Sequence, residues 1–89
     1  MKYTVLWTRS AEQELAGLWL RAANRSAVTR AATEADELLR DDPSARGESR
    51  TGPVRIMFVP PLGIEFEVSE DDRAVYVLTV WAPRPKRSS

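Results

Sequence analysis

The chain has 89 residues, of which 13 are basic and 13 acidic, so its formal net charge of zero predicts neither nucleic-acid nor membrane binding. It contains no cysteine and no histidine, which excludes disulfides, thiolate nucleophiles, the commonest zinc ligands and the usual general base at neutral pH. The sequence shows neither a signal-peptide core nor an apolar run long enough to span a bilayer, so we expect a soluble, cytoplasmic protein without metal or cofactor.

The chain begins with a pattern typical of a strand that leads into a helix. Residues 3–7 (YTVLW) are few and rich in β-branched and aromatic types, which favours a strand. Ser10 and Gln13 have the spacing of a capping box, so we expect the helix to begin at Ser10. Its apolar residues recur at helical spacing and predict one buried stripe. They are Leu15, Leu18, Trp19 and Ala22.

A second helix is predicted directly afterwards. Asn24 or Ser26 can cap its start, and Pro43 ends it because the residue before a proline disfavours helical geometry. Alanines dominate the middle of its apolar stripe, which allows the two helices to approach closely as an antiparallel hairpin. The stripe consists of Val28, Ala31, Ala32, Ala35, Leu38 and Leu39.

The second half of the chain predicts a loop and three strands. Residues 44–53 (SARGESRTGP) have no hydrophobic period and contain two glycines and a proline, so we expect a loop. The strands are predicted at residues 54–59, 64–68 and 74–81, and the short turns between them favour an antiparallel meander. The predicted fold is therefore α+β, in the order β-α-α-β-β-β, with the helical hairpin on one face of a small, mainly antiparallel sheet. We expect one domain over residues 1–83, followed by an exposed basic tail at 84–89.

Alternation within the strands predicts what each face of the sheet carries. Glu65 and Glu67 should lie on the solvated face, beside Arg55, while the apolar residues between them face the helices. In the last strand, one set of alternating residues is expected on the face away from the helices. It consists of Val75, Val77, Thr79 and Trp81.

This pattern resembles the RelE/ParE superfamily of bacterial type II toxins. The similarity lies in YTVLWTRSAEQELAGL, which is similar to the family's opening strand and Ser-capped helix, and in GESRTGPVRIMFVPPLGIEFEVSEDDRAVYVLTVW. The second stretch is similar to the family's glycine- and arginine-containing loop, three strands, acidic turn and final strand. The resemblance implies an antitoxin partner and either ribosome-dependent mRNA cleavage or inhibition of DNA gyrase.

In the RNA-cleaving members, basic residues of the meander and of the chain's end stabilise the charged phosphate, as phosphodiester chemistry requires. The residues of this chain at such places are Arg46, Arg50, Arg55 and Arg84. The chain departs from the family pattern at Gly63, where an arginine is common, and at Trp81, where a small residue is usual. These departures favour protein binding over catalysis.

An apolar stripe on the outer face is a candidate groove for an antitoxin helix or an added strand, and the basic tail could steer a partner. The candidate partner-binding residues are Val75, Val77, Trp81, Arg84, Lys86 and Arg87. The leading hypothesis is a toxin-family protein that binds a cognate antitoxin and a target such as DNA gyrase or the ribosome with its mRNA. The alternatives are a ribosome-dependent endoribonuclease using the four arginines, or a degenerate, non-toxic member. A homodimer also stays open, and no membrane partner is expected.

Overall fold

The protein folds into a five-stranded sheet with two helices on one side, and this computed structural model describes residues 2–83. The strands are β1 (Thr4–Trp7), β2 (Glu48–Thr51), β3 (Val54–Val59), β4 (Leu62–Ser69) and β5 (Ala74–Trp81). The helices are α1 (Arg9–Arg21) and α2 (Arg25–Asp41). The α+β class and the helical hairpin are confirmed. The predicted tail, residues 84–89, lies outside the described residues.

The strand order in the sheet is β1-β5-β4-β3-β2. β1 pairs with β5 in parallel, and every other pairing is antiparallel. The crossover from β1 is made by the two helices, of which α1 packs on β5 and α2 on β1, β3 and β4. Within residues 2–83, neither helix has the length and apolar content needed to cross a bilayer.

The loop predicted at residues 44–53 is wrong in its centre, because this segment contributes an additional edge strand. A short 3-10 turn, Pro43–Ala45, is followed by β2, which pairs with β3 in the register Glu48 to Ile56. All four β2 side chains are exposed, so the strand forms to satisfy the backbone groups of β3 rather than to bury apolar surface.

The core lies between the sheet and the helices. Phe66, Ile64, Val75, Val77 and Leu39 are fully buried there. β5 contains a bulge opposite the step from Glu65 to Phe66, and Leu78 is the additional residue. The bulge shifts the alternation of β5 by one position.

The N-cap of helix α1 lies two residues before the predicted capping residue, Ser10. Thr8 is the N-cap: its Oγ1 accepts a hydrogen bond from the backbone N–H of Ala11 (3.2 Å) and donates one to the carbonyl of Val77 (2.9 Å). Ser10 lies within the helix and is exposed, so its predicted capping role is wrong. The cap of α2 is Asn24, one of the two predicted residues.

We expect Thr8→Ala to lower the free energy of unfolding by about 1 kcal/mol, because a helix cap and a bond to β5 are lost together. Ser10→Ala removes the same kind of hydroxyl from an exposed helical position and should change it by less than about 0.5 kcal/mol. Urea denaturation of both variants measures the difference. Equal losses would contradict the assignment of the cap.

A small hydrogen-bonded network joins the start of β1 to the β4–β5 turn. The Tyr3 hydroxyl donates to Oε1 of Glu70 (2.7 Å), and the Ser44 hydroxyl donates to Oε2 (3.1 Å). The bond to Glu70 raises the pKa of Tyr3, since the ionised phenol could not donate. The same bond, followed by that from Ser44, lowers the pKa of Glu70.

These pKa shifts predict a stability difference between the wild type and Tyr3→Phe that depends on pH. The Glu70 contribution is complete above its ordinary pKa of 4.5 and is lost as the pH falls through the lower folded value. The Tyr3 contribution is complete below 10.0 and is lost as the pH rises through the higher folded value. Denaturation across pH should therefore show the largest difference between these limits. For Ser44→Ala, the difference should decline on the acid side only.

Candidate functional site

Arg55 has a structural role, because its guanidinium donates hydrogen bonds to the backbone of the preceding loop. Its Nε donates to the carbonyl of Arg46 (2.8 Å) and its Nη2 to the carbonyl of Gly47 (3.1 Å). Arg55 pairs with Phe66 across β3 and β4, so its side chain lies on the helix side of the sheet. The expectation that it lies beside Glu65 and Glu67 is therefore wrong, since these carboxylates are on the opposite face.

Arg46 and Arg50 lie on either side of the start of β2. Arg46 is half-buried, and its buried Nε has no hydrogen-bond partner within residues 2–83. Arg50 is exposed at the irregular pairing between β2 and β3. Both side chains line a cavity of about 650 Å³, together with Glu48, Phe58 and Trp81. The structure thus brings two of the four predicted arginines to one cavity, with a carboxylate between them in the sequence.

The side of the sheet opposite the helices, which we call the open face, carries a cluster of apolar side chains. Phe58 is 62% exposed, and its ring meets that of Trp81 edge-to-face, with centroids 6.0 Å apart. Gly63 lies beneath the indole, where an added Cβ would be 2.5 Å from Cε2 of Trp81. The register assigns the members of the open face. They are Leu6, Glu48, Val54, Ile56, Phe58, Glu65, Glu67, Tyr76, Thr79 and Trp81.

The charged side chains in the middle of the open face, Glu65 and Glu67, are acidic, whereas Arg46 and Arg50 line the cavity at its β2 edge. Glu65 accepts a hydrogen bond from the Thr79 hydroxyl (3.1 Å), and the Tyr76 hydroxyl donates to Oδ2 of Asp72 (3.3 Å). The charge of Asp72, assisted by burial and by Glu67, raises the pKa of Tyr76. Among residues 2–83, no three acidic side chains form a group that could hold a metal ion. The face can therefore attract cations, but it offers no metal-binding set.

The prediction that Val75 and Val77 lie on the open face is wrong, because both are in the core. Each is 0% exposed and pairs with an inward residue of β4, Val68 or Phe66 respectively. The bulge at Leu78 explains the error, because it separates these valines from Thr79 and Trp81, which do face outward. Of the three apolar β5 residues predicted to bind a partner, only Trp81 lies on the open face.

Three predicted residues lie outside the described part of the chain, and their contacts are not assigned. They are Arg84, Lys86 and Arg87.

A second apolar surface lies in a groove of about 590 Å³ along the helical hairpin. Trp19 and Leu20 contribute to it and are 39% and 63% exposed, so Trp19 is less buried than its place in the predicted stripe implies. The Arg25 guanidinium lies 4.6 Å from the centroid of the Trp19 ring and donates to the carbonyls of Trp19 and Leu20. This groove is a candidate site for an apolar segment of a partner.

Sequence reasoning missed Ile56, Phe58 and Glu48 as members of the exposed surface. The alternation of β3 sets Ile56 and Phe58 opposite Arg55, and the prediction that Arg55 lies on the solvated face therefore assigned these two residues to the wrong side of the sheet. The signal that decides the side is Glu65, which pairs with Ile56: a solvated carboxylate requires its cross-strand neighbour to share its face. Glu48 could not be found, because β2 itself was not predicted.

No protein-family model matches the chain, and no curated protein matches it. The solved structures that it resembles include the RelBE2 toxin–antitoxin complex from Mycobacterium tuberculosis, with a TM-score of 0.74, 16% identity, and 93% of each chain covered. The chromosomal ParDE TA system from P. aeruginosa gives a TM-score of 0.64 at 16% identity, covering 92% of this chain and 97% of the other. The intact E. coli RelBE toxin–antitoxin complex gives 0.56 at 16% identity, covering 93% and 99%. Because identity this low shows the fold alone, the finding is that the chain has a RelE/ParE-like toxin fold.

Proposed function

We propose that this protein is the toxin-family component of a type II toxin–antitoxin system and acts by binding proteins. One partner is a cognate antitoxin, and the other is a cellular target of the kind that the family resemblance implies, DNA gyrase or the ribosome. The similar structures from M. tuberculosis and E. coli are described as toxin–antitoxin complexes, which supports a partner of that class.

One observation favours protein binding over catalysis: the middle of the open face presents apolar and acidic side chains, and the cations Arg46 and Arg50 lie only at its β2 edge. A phosphodiester substrate gathers negative charge in its transition state and needs cationic groups directed at it. Arg55 is engaged with backbone carbonyls, and Glu65 and Glu67 would repel a polyanion. Exposed apolar groups such as Phe58 and Leu20 are instead typical of surfaces that a protein partner covers.

The test is co-expression with the product of the neighbouring open reading frame, followed by affinity capture of the complex. We expect a stable complex, growth arrest when this chain is expressed alone, and relief of the arrest by the neighbour. Binding without arrest would identify a degenerate, non-toxic member of the family. If no complex forms and growth is not arrested, the proposal is rejected.

The second candidate is a ribosome-dependent endoribonuclease, and one observation favours it: Arg46 and Arg50 line the same cavity. This candidate requires translation-coupled cleavage of mRNA that declines in Arg50→Ala, whose side chain is exposed and whose loss should leave the fold intact. Intact transcripts during growth arrest would remove it in favour of protein binding.

A further inference from the structure

We propose that the open face binds a cationic, apolar-containing segment of a protein partner, with lysine or arginine side chains over Glu48, Glu65 and Glu67 and an apolar side chain against Phe58 and Trp81. This inference rests on the proposed function and adds the chemistry of the contact. A face that binds nucleic acid is expected to be basic, whereas this one presents carboxylates to the partner.

The first support is that the face is uncovered within residues 2–83. Both helices pack on the opposite side of the sheet, and Phe58 and Leu6 are 62% and 45% exposed. Apolar side chains of this size at the surface are stabilised when a partner excludes water from them.

The second support is the order of side chains across the sheet. Glu48 pairs with Ile56, and Ile56 pairs with Glu65, so a carboxylate flanks this isoleucine on each side at the strand spacing of about 4.8 Å. A lysine or arginine has an aliphatic stem that can lie on Ile56 and a charged end that can reach either carboxylate. One row of the face therefore fits one basic side chain in both its apolar and its charged part.

A second row repeats the arrangement one pleat away. Val54 pairs with Glu67, and Glu67 with Tyr76, which places a third carboxylate between an aliphatic and an aromatic group. Glu65 and Glu67 are two positions apart on β4, about 7 Å along the strand. Two basic side chains of one bound segment can therefore be satisfied together.

The third row receives the apolar group. Phe58, Gly63 and Trp81 lie side by side on β3, β4 and β5. The Trp81 indole lies over Gly63 and meets the Phe58 ring, so the row forms one continuous apolar surface. Arg46 and Arg50 line the cavity at its β2 end. A partner side chain such as leucine or phenylalanine would be desolvated there, as the centre of a protein interface requires.

The charge balance selects among the classes of partner. The salt bridges within residues 2–83 are Lys2 with Asp41 and Arg40 with Asp36, so neither engages a carboxylate of the open face. The three carboxylates outnumber the two guanidinium groups, Arg46 and Arg50, that line the cavity at the β2 edge, so the face as a whole disfavours nucleic acid and anionic membrane. A second copy placed face to face would set the same carboxylates against one another, because a two-fold interface joins like surfaces. A basic protein segment is the remaining class.

The test measures binding of the full-length protein to two sets of probes. The first is an array of overlapping synthetic peptides that cover the product of the neighbouring open reading frame. The second is a pair of designed peptides with identical leucine and tryptophan positions, one carrying lysines and the other glutamates elsewhere. We expect capture of the basic, apolar-containing peptides and a preference for the lysine peptide that declines with salt.

Matched variants locate the binding site. Glu65→Gln with Glu67→Gln should weaken binding by about tenfold or more, because both carboxylates face the cations. Glu34→Gln with Glu37→Gln makes the same change in net charge on the exposed side of α2 and should alter binding by less than about twofold. Phe58→Ser should also weaken binding, with circular dichroism showing that the exposed substitution leaves the fold intact.

The outcomes separate the two proposals. If the neighbour's product binds but the Glu65 and Glu67 variants bind it as the wild type does, this inference is overturned and the proposed function stands. If the protein prefers the lysine peptide but does not bind the neighbour's product, this inference stands and the proposed function is rejected. Stronger peptide binding after Arg84, Lys86 and Arg87 are all changed to serine would assign the face to the chain's own basic segment and overturn the inference. A dimer that the Glu65 and Glu67 changes dissociate would likewise overturn it in favour of a second copy.

Discussion

We expect Gly47→Ala to lower the free energy of unfolding by about 2–5 kcal/mol, because the new methyl group would meet both backbone strain and a backbone clash. Gly47 has a φ of 64°, in the left-handed region that a side chain disfavours. Its added Cβ would clash with the carbonyl oxygen of Ile56 and lie 2.7 Å from the carbonyl carbon. Backbone atoms of a paired strand cannot rotate away as a flexible side chain can, so β2 must shift from β3.

Gly52 provides a matched control for Gly47. Its φ of 54° lies in the same region, but an added Cβ there would have no atom within 4 Å. Gly52→Ala should therefore cost only the conformational part, about 1–2 kcal/mol. Urea denaturation gives both values, and hydrogen exchange of the β2 amides should be faster in Gly47→Ala alone. Equal losses in the two variants would show that the close approach to Ile56 does not matter.

The missed strand β2 shows where local patterns stop being informative. Residues Glu48–Thr51 are all polar and exposed, so they have neither alternation nor β-branched enrichment to indicate a strand. The segment becomes extended because the outer edge of β3 has backbone groups to satisfy, and because Gly47 permits the turn that brings it there. Both causes depend on tertiary position, which the segment itself does not encode.

β5 shows how one additional residue changes the interpretation of a well-predicted strand. Its bounds, residues 74–81, were predicted correctly from its apolar run. Its faces were not, since Leu78 bulges and an alternation counted through it assigns Val75 and Val77 to the wrong side. In β4, which was predicted to alternate, the outward position of Glu65 and Glu67 is found as expected. Alternation thus predicted the acidic half of the open face but only Trp81 of its apolar half.

The arginines illustrate a different limit on prediction. Their residue type and their place near a glycine-containing loop could be recognised from the sequence. What a guanidinium binds is decided by distances, and Arg55 is close enough to two carbonyls to be engaged by them. A phosphate-binding role implied by the resemblance and a structural role shown by the geometry therefore predict different consequences of substituting Arg55.

Arg55→Ala should lower the free energy of unfolding by about 1.5–3 kcal/mol, because charge-assisted hydrogen bonds to two backbone carbonyls are lost. The carbonyls of Arg46 and Gly47 precede β2 directly, so their release should loosen the β2–β3 pairing first. Arg55→Lys should recover only part of the loss, since an ammonium group lacks the planar fork that reaches both oxygens. Denaturation of the three proteins, together with hydrogen exchange at Glu48 and Ile56, measures these effects.

Arg50→Ala is the control for this substitution, because its side chain is exposed on the same hairpin and should contribute less than about 0.5 kcal/mol. Growth arrest and affinity capture of the neighbouring gene product should then decline in Arg55→Ala only as far as the folded fraction does, and lower temperature should restore them. A catalytic Arg55 would give the opposite result: Arg55→Ala would unfold at the wild-type urea concentration, and its activity would be absent at every temperature. That outcome would return Arg55 to the candidate catalytic set and remove the structural role assigned from its two carbonyl bonds.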